Sequence, residues 1–431
     1  MSGILNRAGD WAWMPKSVGD PGDGYALERA RAEAPQRFLV LNRFGRAVTY
    51  DRGIDGVGPP TGRLARDLCR GLADAGYQAE LIADDQHRMP TSRLASYLRQ
   101  ATRLVRRLLC HPSQRRGTTL VVMTDPPLML PFVVMLGTAL RMPVIYWCQD
   151  LYPDVLEARS GWAGSFLRFA LAPLRLLHRR SMARCDRVVV PSECLRDRLC
   201  DHGFDGAVEV ISNWAEADLK PSAPTSTTAD QRIRVLYSGH YGVAHDLTDL
   251  VQAAALIGQS GFPIDIHLAL SERGLQRFLS RHPMAEQIGN LTIGGQVANA
   301  DLQDHLAAAD IHVVSIKPGA EGTVFPCKAL AACRVGRPLI LLGTGKSSMA
   351  KLIEEGGAGY VAKPGDATGL IDWLDWMSAE RSALEAMGAN AMVLGQSLGL
   401  EHGASRLVTL LTGEGPTDTV AERPLAMPEA A

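Results

Sequence analysis

The sequence predicts an α/β protein in which two Rossmann-like domains face each other across a cleft. Two series of short apolar segments, each of strand length, alternate with amphipathic segments of helix length. A stretch rich in Pro, Ser, Thr and Ala, residues 213–232, separates the two series. Because the strand segments are apolar on both faces, we expect two parallel sheets, each covered by helices on both sides.

The first series defines a domain at residues 37–212, behind a polar, Gly/Pro-punctuated extension at 1–36 that is expected to be poorly ordered. Residues 43–61 are predicted to form a loop. The predicted helices include an amphipathic one at 62–76 and an apolar core helix within 126–140. The predicted strands are 37–42, 79–83, 118–124, 144–148, 187–190 and 208–211.

The second series defines a domain at residues 233–375. Helical sequence at 376–411 is long enough to cross back to the first domain, and 412–431 is expected to be disordered. No element is assigned between 270 and 300. The predicted strands are 234–238, 264–269, 310–315, 338–342 and 359–362, and the predicted helices are 244–257, 301–309, 327–333, 347–355 and a helical stretch from 367.

Composition is that of an ordinary soluble protein, with 46% hydrophobic and 21% charged residues. The eight cysteines form no C-x-x-C pair and no secretory leader is recognisable, so we expect a cytoplasmic protein without a disulfide framework. No uncharged apolar run reaches the roughly 20 residues that a membrane span requires. Nucleic acid is not an expected partner, because the overall charge is balanced and aromatic residues are scarce.

Two arginine-rich segments of the first domain, residues 92–116 and 159–184, contain no acidic residue. In the second segment apolar residues alternate with the arginines at helical spacing, which is typical of helices that bind an anionic membrane surface or a partner. The alternative is a core-packing helix whose arginines face solvent. The candidate membrane-surface residues are Arg103, Arg106, Arg107, Arg168, Arg175, Arg179 and Arg180.

Ligands of doubly wound sheets bind at the carboxyl ends of the strands. In this chain that rule selects residues 42–62, Asp125, Asp150, 239–245 and 319–328. Asp150 follows a strand and could orient or deprotonate an acceptor hydroxyl, or simply cap the turn after it.

The segment around Glu321 is the strongest candidate. A buried strand is followed by a Gly/Pro loop with Glu321, and Pro326 is predicted at the first position of the next helix. Lys328 in the first turn opposes the helix dipole, and an anion bound there would remove that conflict. The alternative is a loop glutamate and an exposed lysine.

A second phosphate-binding candidate is the turn that begins at Gly239 and ends at Gly242, with His245 just beyond it. A G-x-x-G turn alone is a weak signal, and His245 could equally be an ordinary turn residue. The segment 343–347 resembles a P-loop, but Ile340 stands where that motif needs glycine, so a turn before a helix is predicted instead. The sequence contains no hydrolase motif and no metal-ligand cluster.

Several short motifs along residues 37–375 together resemble one family. They are Gly58-Pro59-Pro60-Thr61-Gly62-Arg63, Thr124-Asp125-Pro126-Pro127, Tyr146 through Asp154, Ile211-Ser212-Asn213-Trp214, Tyr237-Ser238-Gly239 with Ala244-His245, Glu321-Gly322 with Pro326 and Lys328, and Gly336-Arg337-Pro338. The chain resembles the GT-B glycosyltransferases of family 4, specifically the exopolysaccharide branch that includes the colanic acid glycosyltransferase-like proteins.

The resemblance implies retaining transfer of a sugar from a nucleotide-sugar, bound by the second domain, to an acceptor bound by the first. Glu321 matches the first glutamate of the family's E-x7-E motif, which contacts the donor sugar; Ala329 stands where the second would bind the ribose. Val243 occupies a position where this branch often has arginine. The implied donor and phosphate ligands are Gly239, Gly242, His245, Thr323 and Lys328, with Thr61, Gly62 and Asp125 on the acceptor side.

The resemblance implies no metal and no other cofactor. Together with the arginine-rich segments it suggests a lipid-linked saccharide acceptor, and hence a peripheral protein at the inner face of the cell membrane. Two alternatives remain open from the sequence: a nucleotide-sugar epimerase of the same fold, and a non-catalytic homologue that acts as an assembly partner.

Overall fold

The structure is a computed structural model that describes residues 37–44, 48–50, 62–84, 93–124, 129–157, 164–223 and 232–413. The predicted extension at 1–36 and residues 414–431 of the predicted tail lie outside the described residues. So do Thr61 and Asp125.

The first sheet has seven strands in the order β2-β3-β1-β4-β5-β6-β7. All described pairings in it are parallel except that of β2 with β3. Strand β2 lies inside the stretch 43–61 that the sequence predicted as loop. Its three residues are too few to show an alternating pattern. The strands are β1 (Arg37–Phe44), β2 (Val48–Tyr50), β3 (Gln78–Asp84), β4 (Thr118–Met123), β5 (Val144–Trp147), β6 (Arg187–Val190) and β7 (Val208–Val210).

Helices cover both faces of this sheet and enclose two apolar clusters. The arginine-rich segments form the second and fifth of these helices, as predicted. The helices are α1 (Arg63–Asp74), α2 (Arg93–Cys110), α3 (Met129–Leu140), α4 (Asp154–Glu157), α5 (Gly164–Met182) and α6 (Glu193–Asp201).

The second sheet has six strands in the order β10-β9-β8-β11-β12-β13, and all its pairings are parallel. The two parallel-sheet domains predicted from the sequence are therefore confirmed. The strands are β8 (Ile233–Gly239), β9 (Ile264–Leu270), β10 (Leu291–Gly295), β11 (Ile311–Ser315), β12 (Leu339–Leu342) and β13 (Gly359–Ala362).

The stretch 270–300, for which the sequence predicted no element, contains helix α8 (Glu272–Arg281), strand β10 and short 3₁₀ turns. The predicted boundary at 375 falls inside α12 (Ala367–Ala379), which continues past it because residues 375–379 contain no glycine or proline. The helices of this part of the chain are α7 (Thr248–Ser260), α8 (Glu272–Arg281), α9 (Leu302–Ala307), α10 (Cys327–Arg334), α11 (Ser348–Glu355), α12 (Ala367–Ala379), α13 (Arg381–Ser397) and α14 (Leu400–Thr412).

The C-terminal helix α14 crosses back to the first domain. Its apolar face, including Leu407 and Leu411, joins the cluster formed by α1 and the first sheet. A Cβ added at Gly403 would lie 2.6 Å from Trp214 Cε3, so the helix backbone packs directly on that fully buried indole. Residue Thr412, predicted to begin the disordered tail, is the last residue of this helix.

The carboxyl ends of the two sheets meet. The backbone N–H of Leu151, beyond β5, donates to the carbonyl of Thr323, beyond β11, at 3.1 Å. The Asn213 side chain donates to Gln149 Oε1 at 2.6 Å and to Cys327 Sγ at 3.2 Å, so it bridges the two domains. Of the loops that the strand-end rule selected, the one around Asp150 and the one at 319–328 therefore lie where the domains face each other.

Candidate active site

The Glu321 side chain is held by two hydrogen bonds in the loop between β11 and α10. Its Oε2 accepts from the backbone N–H of Gly319 at 2.6 Å, and its Oε1 accepts from the hydroxyl of Thr344 at 2.6 Å. Thr344 lies in the turn after β12 and was missed as a site residue. Two neutral donors therefore fix the carboxylate at the carboxyl edge of the second sheet.

Lys328 reaches from the first turn of α10 to the turn after β8. Its Nζ donates to the carbonyl of His240 at 3.1 Å and lies 4.7 Å from the centre of the Tyr237 ring. A Cβ at Gly239, where φ is +119°, would lie 2.5 Å from Lys328 Cε. Glycine is required there both by the backbone conformation and by the lysine. Burial lowers the pKa of Lys328 to about 8.

His245 lies in the same group. Its Nδ1 accepts from the backbone N–H of Gly242 at 3.0 Å. Burial first, and then the charges of Lys328 and His240, lower the pKa of His245 to about 3. The ring is therefore neutral at physiological pH, with its proton on Nε2, which leaves that N–H as a hydrogen-bond donor.

Thr323 is placed differently from the prediction. Its side chain is fully buried, and its hydroxyl donates to the carbonyl of Ala320 at 2.6 Å. In this structure it stabilises the Glu321 loop from within rather than facing a ligand. Pro326, predicted at the first helical position, is instead the N-cap residue of α10.

Additional positive charge comes from α8, a helix the sequence analysis missed. The ring of His240 pairs with the Ser271 hydroxyl at 2.9 Å, just ahead of α8. Burial lowers the pKa of His240, and the charges of Lys328, Arg277 and Arg273 lower it further. The four-residue spacing of Arg273, Arg277 and Arg281 places them on one helix face and was the signal that could have identified them.

The α8 helix packs closely on the His240 turn. A Cβ added at Gly274 would lie 2.8 Å from the backbone nitrogen of Tyr241. Arg281 Nη1 donates to the Tyr241 hydroxyl at 3.2 Å. The arginine-bearing face of α8 is therefore fixed beside the predicted phosphate loop.

Asp150 is half-buried beyond β5, on the first domain. The backbone N–H groups of Gln149 and Asp150 donate to Thr124 Oγ1 at 2.8 and 3.3 Å, which shapes the turn. Burial raises the pKa of the Cys327 thiol at the start of α10, and the Asp150 carboxylate acts in the same direction. The Asp150 carboxylate therefore lies close enough to Cys327, the first residue of α10, to act on its thiol.

Of the acceptor-side predictions, Gly62 is described. It is the N-cap residue of α1 and has a φ of 88°. Arg63, which follows it, donates to the carbonyls of Trp214 and Ala215 at 2.6 and 2.9 Å. These bonds attach α1 to the segment that joins the two domains.

The candidate membrane-surface arginines fall into two groups. Arg106 and Arg180 are exposed, and the side chain of Arg168 lies outside the described part. The other four have partners within the domain. Arg103 donates to the carbonyl of Ala83, Arg107 pairs with Glu80 at 2.7 Å, Arg175 pairs with Asp154 at 3.3 Å, and Arg179 donates to the carbonyl of His202 at 3.2 Å.

Two absences concern only the described part of the chain. None of its helices combines the length and the apolar character that crossing a bilayer requires. Its His, Cys, Asp and Glu side chains form no group of three that could hold a metal ion.

Comparisons with known families match both domains. The model of Glycosyltransferase Family 4 matches residues 61–219, and the model of Glycosyl transferases group 1 matches residues 232–380. WbjE of Pseudomonas aeruginosa, named as a probable glycosyltransferase, is 22% identical over 269 residues. The match covers 61% of this chain and 66% of WbjE, so this chain spans slightly less than two thirds of that relative's length.

Solved structures show the same fold. Sucrose-phosphate synthase from Thermosynechococcus elongatus has a TM-score of 0.65 at 17% identity, over 87% of this chain and 98% of that one. HepE from Anabaena in complex with UDP has a TM-score of 0.62 at 14% identity, over 88% and 100%. HepE in complex with UDP-glucose has a TM-score of 0.60 at 14% identity, over 87% and 98%. The first domain therefore matches Glycosyltransferase Family 4, the second matches Glycosyl transferases group 1, and the chain has the GT-B fold predicted from the sequence.

Proposed function

We propose that this glycosyltransferase moves a sugar, with retention of configuration, from a nucleotide-sugar to a lipid-linked saccharide during synthesis of an exopolysaccharide or another cell-surface polysaccharide. The observation that carries the proposal is the placement of Lys328, His240 and His245 around one turn, at the same sheet edge as the fixed carboxylate of Glu321. UDP and UDP-glucose are bound by HepE, which shares the fold.

The donor's diphosphate would lie against this cationic group. When the bond between the anomeric carbon and the diphosphate oxygen breaks, negative charge develops on the leaving group. The Lys328 ammonium and the Nε2–H of His245 would stabilise that charge, and the partial positive charge at the N-terminal end of α10 would add to their effect. Arg273 and Arg277 add positive potential nearby. They partly replace the arginine that this branch often has at the position of Val243.

The sugar would be held by Glu321, whose carboxylate is already oriented by Gly319 and Thr344. A preorganised carboxylate near a developing oxocarbenium-like centre acts without the cost of reorientation. Ala329 is fully buried in α10, so the ribose contact must come from another group.

The acceptor hydroxyl would approach from the first domain. Its oxygen forms the new bond to the anomeric carbon as the bond from that carbon to the diphosphate oxygen breaks, and the hydroxyl proton passes to the departing nucleoside diphosphate. Asp150 is the proposed group that orients this hydroxyl, because it follows β5 and precedes Leu151, whose N–H donates to the carbonyl of Thr323 in the second domain. The nucleotide-sugar is a substrate, and the proposed reaction uses no metal ion.

Helix α5 supplies the proposed membrane contact. Its outward face exposes Phe169, Leu176 and Leu177, with Phe169 81% exposed, and Arg180 follows on the same face. Apolar side chains flanked by arginine suit the interface of an anionic leaflet. A protein bound there by α5 would meet a lipid-linked acceptor at the inner face of the cell membrane.

The test combines a binding screen with a transfer assay. A panel of UDP-, GDP-, ADP- and dTDP-sugars is screened for thermal stabilisation, because ligand binding to the folded state raises its stability. The stabilising donor is then incubated with membrane-extracted lipid-linked saccharides. We expect labelled sugar to enter the lipid fraction, and Glu321→Ala to reduce that rate by about 100-fold or more.

Glu355→Ala, an exposed glutamate at the end of α11, is the matched control and should transfer at the wild-type rate. Undiminished transfer by Glu321→Ala would contradict the site. Conversion of the nucleotide-sugar without an acceptor would favour an epimerase. Binding without any turnover would favour a non-catalytic homologue, for which Ala329 and Val243 are the supporting observations.

A further inference from the structure

Helix α6 of the first domain touches the loop that carries Glu321. Arg198 Nη1 donates to the carbonyl of Glu321 at 3.0 Å and to the carbonyl of Gly319 at 3.3 Å. Gly319 is also the residue whose N–H holds the Glu321 carboxylate. One guanidinium from the first domain therefore binds both ends of the three-residue segment that orients this side chain.

The other side of Arg198 faces a buried carboxylate of its own domain. Its Nε lies 3.6 Å from Asp154 Oδ2, and the Asp154 side chain is 1% exposed. His202 and Arg175 also contact Asp154, at 3.0 and 3.3 Å. Burial by itself would raise the pKa of Asp154, but the hydrogen bond from His202 and the nearby positive charges lower it below its usual value. The carboxylate is therefore ionised at neutral pH and anchors Arg198.

The backbone at this junction is closely packed. Gly322 has a φ of +70°, and a Cβ there would lie 2.3 Å from the carbonyl oxygen of Cys194 on α6. The N–H of Cys194 donates to Ser348 Oγ at 3.0 Å. The Thr323 carbonyl accepts from Leu151. The loop is thus held to the first domain along its length, and Arg198 is the charged member of that contact.

We propose that Arg198 is a positioning residue that, anchored by Asp154, holds the Glu321 loop in the conformation that orients the carboxylate. The second domain would then present Glu321 correctly only when α6 of the first domain is docked against it. Within the described part of the chain, the contacts of the Arg198 guanidinium are with Gly319, Glu321 and Asp154, and none of them is with Lys328, His240 or His245. The inference rests on the proposed function in one respect, which is that Glu321 acts on the donor sugar.

Hydrogen exchange measured by mass spectrometry on the ligand-free chain tests the positioning directly. The probe is the peptide 317–325, in which the amides of Gly319, Ala320 and Thr323 are hydrogen-bonded. Arg198→Ala should speed exchange there by about tenfold, since it removes a charge-assisted contact to two carbonyls. Arg196→Ala is the matched control, because Arg196 lies on the same helix and pairs with its neighbour Asp197.

Two further variants separate positioning from general destabilisation. Arg198→Lys keeps the charge beside Asp154 but loses the planar fork, so it should restore only part of the protection. Gly322→Ala perturbs the same junction from the second domain and should release the same peptide. Peptides of β8 and β12 should exchange as in the wild type in each case. Unchanged exchange of 317–325 in Arg198→Ala, or an equal increase throughout the chain, would overturn the proposal.

Activity provides the second readout. For the donor selected by the stabilisation screen, Arg198→Ala should lower kcat by about tenfold while the Kd of the corresponding nucleoside diphosphate stays within about twofold. A fall in both would place Arg198 in the diphosphate site and contradict a positioning role. If the wild type transfers no sugar but Arg198→Ala still speeds exchange of the peptide 317–325, the positioning role of Arg198 is supported and the proposed function is wrong.

Discussion

The sequence predicted binding residues in two regions, the sheet edge of the second domain and the arginine-rich helices of the first. In the structure the side chains of these two regions have different kinds of partner. Gly239, Gly242, His245 and Lys328 are connected by direct contacts at one sheet edge. In contrast, Arg103, Arg107, Arg175 and Arg179 turn towards partners in their own domain. Topology forces strand-end loops together, whereas the direction of a helical arginine depends on acids and carbonyls distant in the sequence.

The largest expected effect concerns Asp154, the buried carboxylate that Arg175, Arg198 and His202 contact. Asp154→Asn leaves Arg175, Arg198 and His202 without their carboxylate and should lower the free energy of unfolding by about 3 kcal/mol at neutral pH. Denaturant unfolding monitored by circular dichroism measures it. Asp201→Asn, an exposed aspartate on α6, is the control and should change stability by less than about 0.5 kcal/mol.

The same variant has a defined pH dependence. The pKa of Asp154 is lowered from its ordinary value of 3.8. A depressed carboxyl pKa stabilises the folded state above the unfolded-state value, and this contribution is lost as the pH falls through the folded-state pKa. The gap between wild type and Asp154→Asn should therefore be present at neutral pH and shrink below about pH 4. A gap that persists unchanged to about pH 2 would contradict the assignment of a stabilising ion pair.

The smaller effect concerns the outward face of α5. Arg180→Ala removes one exposed positive charge and should weaken binding to phosphatidylglycerol-containing vesicles by about fivefold, on the scale of 1 kcal/mol per basic residue. Flotation with such vesicles measures it, and vesicles of phosphatidylcholine alone should show little dependence on Arg180. Arg116→Ala, an exposed arginine off the helix, is the charge-matched control. Equal losses for both variants would indicate general charge attraction instead of a contact by α5.

Much of the fold followed from the sequence because its strands are runs of Val, Ile and Leu between turn residues. Strand β10 was not predicted because Thr and Gly residues interrupt its apolar residues Leu291 and Ile293. This composition is consistent with its position at the sheet edge. Helix α8 was not predicted either, and for that reason its arginines beside the predicted phosphate loop were missed. When a helix is not predicted, the candidate site residues that it positions are not predicted either.

Within the site, the strand-end rule identified the loops but not their internal bonding. Thr344, which orients Glu321, lies 23 residues further along the chain and becomes its neighbour only because β11 and β12 pair. Arg198 lies 123 residues before Glu321, in the other domain. Thr323 was chosen for its position beside Glu321, but its hydroxyl is used inside the loop. Such partners depend on tertiary packing, which no local pattern encodes.

The central claim is that the edge of the second domain binds the donor's diphosphate through Lys328. Calorimetric titration of UDP, GDP and ADP into the wild type, Lys328→Arg, Lys328→Ala and the exposed-lysine control Lys351→Ala tests it most directly. Because the pKa of Lys328 is about 8 in the free protein, its charge is lost as the pH rises above that value.

We expect at least one of these diphosphates to bind at pH 7 and its affinity to fall about tenfold by pH 9. Lys328→Arg should keep its affinity across that range, and Lys328→Ala should bind weakly at every pH. An absence of binding by all three nucleotides, or an affinity that neither Lys328→Ala nor pH changes, would contradict the account.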